Sequence, residues 1–96
     1  MTNFKLEKLK SGETFITSEK GNSMTPLLMS GQKHKLAPIK LSEIKTGDIV
    51  YAKINGRYYT HLVWSTSPEK GILLGNNKHR ANGWTKQVYG KVIEKY

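Results

Sequence analysis

One serine and one histidine of this 96-residue chain stand out as a pair that could carry out acyl transfer without a metal. One is Ser23, in Gly21-Asn22-Ser23-Met24-Thr25-Pro26, and the other is His61, in Thr60-His61-Leu62-Val63. A serine hydroxyl becomes nucleophilic when a neighbouring Lys or His takes its proton. Ser23 falls in a predicted turn, which exposes a hydroxyl. His61 falls in the middle of a predicted strand, which holds a base rigidly. Spacing alone does not join the two. Ser23 has a second reading as the cap of a short helical turn, its oxygen accepting a backbone N–H. His61, beside Leu62 and Trp64, has a second reading as a solvent-facing or cross-strand partner.

Other chemistries find less support. There are no cysteines, so disulfides, thiolate metal sites and a Cys nucleophile are excluded. His34, His61 and His79 lack helical i, i+4 spacing and a nearby pair of carboxylates, so no metal site is expected. Only seven acids are present, which disfavours a paired-carboxylate glycosidase. No Gly-rich phosphate loop occurs, and no cofactor is expected. His34 and His79 are read as surface residues. Asp48 is read as a structural acid at a strand start. The aromatic residues Trp64, Trp84, Tyr58, Tyr59 and Tyr89 are assigned to packing, with a binding cleft or base stacking as the alternative.

The elements that must position Ser23 and His61 read as mostly β. "FKLEKLK", Ser11-Gly12 and "ETFITSE" predict a first hairpin within residues 1–20. "SMTPLLMSG" predicts one helical turn with Pro26 near its start and Gly31 at its end. "KHKLAPI" is a short strand, and "LSEIKTG" a connecting turn. "DIVYAKI" is the clearest strand. Asn55-Gly56 is a strong hairpin signal, and "RYYTHLVW" is the partner strand. "GILLG" is a further short strand. "VYGKVIEKY" is assigned as a strand on composition, because its apolar residues do not alternate cleanly. Asn82-Gly83 reads most simply as a type I′ turn. Strands recurring about every 8–12 residues predict a small barrel or sandwich.

Length and charge bound the rest. Ninety-six residues suit one domain, 1–96. Lys and Arg total 16 against seven acids, a net charge of +9. That balance favours contact with nucleic acid, an anionic surface or an acidic protein, although the cations are dispersed. No apolar run reaches the length of a membrane span, and "MTNFKLEKLKSGE" has no signal-peptide core. A soluble, cytoplasmic protein is expected.

Several segments, taken in order, resemble the signal peptidase and LexA-like serine peptidase superfamily. "GNSMTP" resembles its Gly-x-Ser-Met-x-Pro box. "TGDIVYAKINGR" resembles its Gly-Asp-Ile-Val strand and following hairpin. "THLV" is similar to the His-Arg-Val of the members that use His in place of Lys. "LLGNN" resembles the Gly-Asp-Asn box, and "YGKVIEKY" the closing Gly-Lys-Val strand. The small size and the "NGW" segment are similar to bacteriophage members, which would put the chain in a host cytoplasm.

The resemblance implies a mostly-β fold of coiled, partly barrel-like sheets, with a peptidase-like core over 21–96, and a serine endopeptidase acting on a protein or peptide. It aligns Ser23 with the nucleophile and His61 with the general base. The third position, seven after Gly75, is Asn82, where His-type relatives carry an acid. An Asn orients an imidazole but supplies no charge, and Asp-to-Asn costs about 10⁴ in a comparable triad. Asn76 likewise stands where the Gly-Asp-Asn box has Asp. The oxyanion donors implied are the backbone N–H of Ser23 with that of Asn22. Gly21 removes the serine hydroxyl that some bacterial members carry two positions before the nucleophile. Only 22 residues precede Ser23, without Ala-Gly or Cys-Gly, so LexA-type self-cleavage is not expected. Cleavage of exported precursors fits poorly without a span. The alternative is a weakened or inactive member that binds protein or nucleic acid through its basic surface.

Overall fold

The computed structural model describes residues 3–96. Seven strands form one sheet: β1 (Phe15–Thr17), β2 (His34–Pro38), β3 (Ile49–Ile54), β4 (Arg57–Ser67), β5 (Gly71–Gly75), β6 (Ala81–Thr85) and β7 (Val88–Lys95). Their order is β1-β2-β7-β3-β4-β5-β6, and every pairing is antiparallel. The expected mostly-β character is present. The sheet coils until β6 approaches β3: Thr85 Oγ1 donates to the Lys53 carbonyl at 2.7 Å, and Lys53 N–H donates to Gln87 O at 2.8 Å. Its terminal strands β1 and β6 do not pair, so it is not closed.

The β3–β4 hairpin turns where the sequence demands it. Asn55 and Gly56 both have positive φ, 50° and 78°, as a type I′ turn requires. β3 lies near the centre of the sheet and is covered on both faces. Val50, Ala52 and Ile54 pack with Ile44, Val63, Ile72 and Leu74. Tyr51 packs on the opposite face with Leu9 and Leu36, and Ile49 with Met24 and Leu28. Two-sided burial explains why "DIVYAKI" reads as a nearly continuous apolar run.

The N-terminal hairpin does not form. Phe4–Lys10 is a helix, α1. Asn3 caps it, its side chain accepting from Leu6 N–H at 3.0 Å. Leu9 then drops into the core against Leu36 and Tyr51, over Gly90, where a Cβ would stand 2.9 Å from the Leu9 methyls. Burying a leucine of this kind stabilises by about 1.5–3 kcal/mol. Burial of Leu9 and the Asn3 cap outweigh the strand tendency of the apolar-polar alternation. Of the expected hairpin only β1 remains, and it pairs with β2.

Two further expectations are corrected. Asn82-Gly83 does not turn the chain but lies within β6. His34 is not a surface residue: it is fully buried, because β2 runs between β1 and β7 and His34 faces the interior. Bulges also shape the sheet. On β7, Tyr89 and Ile93 are extra residues against β3 and β2, which is why its sequence fails to alternate.

Candidate functional site

Ser23 sits in the loop between β1 and β2. Gly31 N–H donates to Glu19 O at 2.7 Å and Gly21 N–H to Ser30 Oγ at 3.1 Å, which pinches the loop at its base. Leu28 N–H donates to Met24 O at 3.0 Å, the single helical turn expected from "SMTPLL". Met24 and Leu28 are buried against Ile49, Leu62 and Val92 and anchor this turn, while Ser23 beside them is exposed. Asn22 is also exposed, and its carbonyl accepts from Thr25 N–H and Thr25 Oγ1.

The β5–β6 connection holds the loop from the other side. Asn77 N–H donates to Ser23 O at 2.7 Å and Asn77 Nδ2 donates to Thr25 O at 2.9 Å. Sequence reasoning assigned Asn77 no role, and its place as the Asn of the box that "LLGNN" resembles was its signal. Asn76 organises the same connection. Its Oδ1 accepts from Lys78 N–H at 2.8 Å and Arg80 N–H at 3.0 Å, and its carbonyl accepts from Trp64 Nε1 at 3.2 Å. These bonds need only an acceptor oxygen, which an amide supplies as well as a carboxylate does.

His61 is buried in β4, and its ring reaches both partners. Nε2 lies 3.1 Å from Ser23 Oγ, and Nδ1 lies 2.7 Å from Asn82 Oδ1. The hydroxyl of Ser23 therefore faces the imidazole. An amide oxygen only accepts, so the Nδ1 that meets Asn82 Oδ1 carries the hydrogen. Nε2 is then left with its lone pair toward Ser23. The Tyr59 ring, 5.0 Å from the His61 ring, packs along the same face of β4.

Asn82 reaches His61 through a bulge. Leu74 pairs with Gly83 and Gly75 with Ala81, which leaves Asn82 as the extra residue of β6. A bulge bends the strand and re-aims the side chain it carries. Gly83, at φ 126°, takes up a backbone conformation that L side chains rarely adopt. Gly75 is opposite, and the Trp64 indole occupies the space where its Cβ would stand.

Glu19 is a second residue that sequence reasoning missed. Its Oε1 receives Lys5 Nζ from α1 at 2.8 Å and the hydroxyl of Thr60, the residue before His61. Glu19, Ser23, Met24, Leu28 and Thr60 line one small cleft. His79 is exposed in the β5–β6 connection. Asp48 accepts from Lys45 N–H and pairs with Lys91 at 3.2 Å at the start of β3, as expected of a structural acid. A concavity of about 460 Å³ lies between Ile44 and the β4–β5 turn at Pro68 and is lined by no titratable side chain. Among the described residues no helix is long and apolar enough to cross a membrane.

Compared with known proteins, the chain matches no family model, no curated protein and no solved structure. Its chemistry therefore rests on the side chains themselves.

Proposed function

We propose that this chain is a small serine endopeptidase of the signal peptidase and LexA-like type, with a coiled β fold of that kind. The observation that carries the reading is the relay from Ser23 Oγ through His61 to Asn82, at 3.1 and 2.7 Å. Such a relay matches the nucleophile–base–orienter arrangement of serine hydrolases.

In the proposed reaction Ser23 Oγ attacks a peptide carbonyl while His61 Nε2 takes its proton. The new Oγ–C bond gives a tetrahedral oxyanion, for which the proposed donors are the backbone N–H groups of Ser23 and Asn22. His61 returns the proton to the leaving amine as the C–N bond breaks. A water activated by the same imidazole then releases the acyl group and regenerates Ser23. Asn82 holds the tautomer but adds no charge to offset the imidazolium. The scissile segment has a place to lie. β4 pairs with β5 only from Leu62 onward, so Arg57–His61 carries no ladder partner on that side. An extended peptide adds readily to such an edge.

The test is a fluorophosphonate probe on the parent chain and on Ser23→Ala. Labelling of the parent at Ser23, absent in the variant, is the expected result. Equal labelling of both, or none of either, would overturn the reading.

One observation favours a second role on the other face. Lys8, Lys10 and Lys53 lie 5.0–5.9 Å from the rings of Phe15, Tyr89 and Tyr58 and make no ion pair among the described residues. Cations set among aromatic rings suit a phosphate backbone with unstacked bases. Retention on single-stranded DNA that weakens steeply with salt would support this role, and salt-insensitive retention would count against it.

A further inference from the structure

We propose that Glu19 is a positioning residue for the nucleophile: its side chain ties the loop that carries Ser23 to Thr60 of β4 and so sets the Ser23 hydroxyl against His61. The inference rests on the peptidase reading, since it concerns the same pair.

The contacts run in step along loop and strand. Glu19 Oε1 accepts the hydroxyl of Thr60. Ser23 Oγ lies 3.1 Å from His61 Nε2. Met24 and Leu28 are buried with Ile49, and Leu62 packs against that cluster. Thr60, His61 and Leu62 are consecutive residues of β4. The loop is therefore held at the residues on either side of the base, by a hydrogen bond before it and an apolar contact after it. Between these two anchors Lys20, Gly21 and Asn22 are exposed. Gly21 N–H donates to Ser30 Oγ, and Asn22 O accepts from Thr25. Those bonds fix the loop's own shape but not its distance from β4. Asn77 N–H holds the Ser23 carbonyl from the β5–β6 connection. The Glu19 side chain supplies the tie to the strand that bears the base.

Glu19 serves both ends of this arrangement. Its backbone carbonyl accepts from Gly31 N–H at 2.7 Å, which closes the base of the loop. Its carboxylate meets Thr60, which is 4% exposed, so that hydroxyl needs a partner within the protein. The plainer reading is that Glu19 pairs with Lys5 only to anchor α1. The two side chains are 30% and 26% exposed, and ion pairs so open to water contribute little. That helix is already held by burial of Leu9 and by Asn3 Nδ2 donating to the Tyr51 hydroxyl at 3.0 Å. The bond to Thr60 involves no residue of α1, so variants separate the two roles.

The test is fluorophosphonate labelling of Ser23 in the full-length chain, resolved into probe affinity and maximal rate. Glu19→Ala and Thr60→Val are each expected to lower the maximal rate about tenfold and leave probe affinity unchanged, because a small misplacement of a nucleophile costs rate steeply. Glu19→Gln still accepts and Thr60→Ser still donates, so both stay within about twofold of the parent. Lys5→Ala leaves the rate unchanged. Glu19→Ala combined with Thr60→Val is no slower than either alone, since both remove one bond. A second measurement is independent of reactivity. Hydrogen exchange at Asn77 N–H, the donor to Ser23 O, quickens in Glu19→Ala and Thr60→Val but not in Lys5→Ala. Circular dichroism and melting establish that the variants are folded. If Glu19→Ala does not fold, Thr60→Val and its conservative partner Thr60→Ser carry the test.

A parent-like rate in Thr60→Val overturns the inference. So does a loss that Glu19→Gln and Thr60→Ser share, a double variant slowed additively, or a Lys5→Ala chain as slow as Glu19→Ala. The parent chain separates the two readings. Labelling at one rate in every variant sinks the role of Glu19 alone. No labelling of the parent sinks the peptidase reading, while faster Asn77 exchange in Glu19→Ala and Thr60→Val still establishes the tie between loop and strand.

Discussion

Replacing Asn82 with Asp puts a carboxylate 2.7 Å from His61 Nδ1, where an amide oxygen now accepts. The geometric part of an acid's role is already filled, because that oxygen fixes the hydrogen on Nδ1 and leaves Nε2 facing Ser23 at 3.1 Å. What Asn82 lacks is charge to stabilise the imidazolium formed during attack. Two unit charges about 4 Å apart attract by about 4 kcal/mol at an effective dielectric of about 20. Asn82 is half-buried, and solvent screening reduces this to about 1.5–3 kcal/mol. At about 1.36 kcal/mol per decade, Asn82→Asp accelerates reaction at Ser23 by about 10- to 100-fold. The gain stays below the roughly 10⁴ seen between Asp and Asn in a comparable triad, since there the Asn also imposed the wrong tautomer. The assay is the pseudo-first-order rate of fluorophosphonate labelling at neutral pH for the parent, Asn82→Asp, Asn82→Ala and Ser23→Ala. Asn82→Ala is expected to label more slowly than the parent. An Asn82→Asp chain that folds normally but labels no faster would refute the electrostatic argument. An Asn82→Ala chain as fast as the parent would remove Asn82 from the relay altogether.

Three other outcomes are expected. Asn77→Ala loses the bond from Nδ2 to Thr25 O and costs about 0.5–1.5 kcal/mol in urea unfolding. Labelling at Ser23 should slow several-fold with it, and unchanged labelling would make Asn77 a loop support only. Gly75→Ala drives a methyl into the Trp64 indole and lowers stability by about 1–3 kcal/mol, so an unaltered urea midpoint would contradict the packing described. Burial pushes the Tyr51 phenol above its ordinary value of 10.0, against an opposing hydrogen bond with Asn3. The folded state therefore resists ionisation that the unfolded state undergoes. The resulting stability is complete below about pH 10 and is lost as pH rises beyond it. Tyr51→Phe should flatten that alkaline loss in urea titrations from about pH 8 to about pH 11, and identical pH profiles would refute the assignment.

What the sequence disclosed followed local physics. Asn55-Gly56 announced its hairpin because both residues must adopt positive φ, a demand few residue pairs meet. β3 announced itself because both its faces are buried. α1 was misread because Lys5, Lys8 and Lys10 break "FKLEKLK" into something like strand alternation. The cap at Asn3 and the i, i+3 pair Leu6 and Leu9 were the signals for the helix. β7 failed to alternate because two bulges interrupt it. His34 looked like a surface residue because nothing in "KHKLAPI" reveals that β2 lies inside the sheet.

The candidate site divides along the same line. Ser23 and His61 were legible because a turn serine and a strand histidine are recognisable types, but a separation of 38 positions says nothing about distance. Asn82 was hardest to read. Asn-Gly is the dipeptide that most often closes a hairpin, so local chemistry argued for a turn. The chain had already turned at Asn76–Arg80, where Asn76 Oδ1 gathers two backbone N–H groups. With the reversal complete, Asn82-Gly83 serves instead as a bulge in β6, and the extra residue turns its amide toward His61. The positive-φ tolerance that favours a turn is what permits the bulge. The same dipeptide thus supports two different structures, and the decision between them is made by Asn76, six residues upstream.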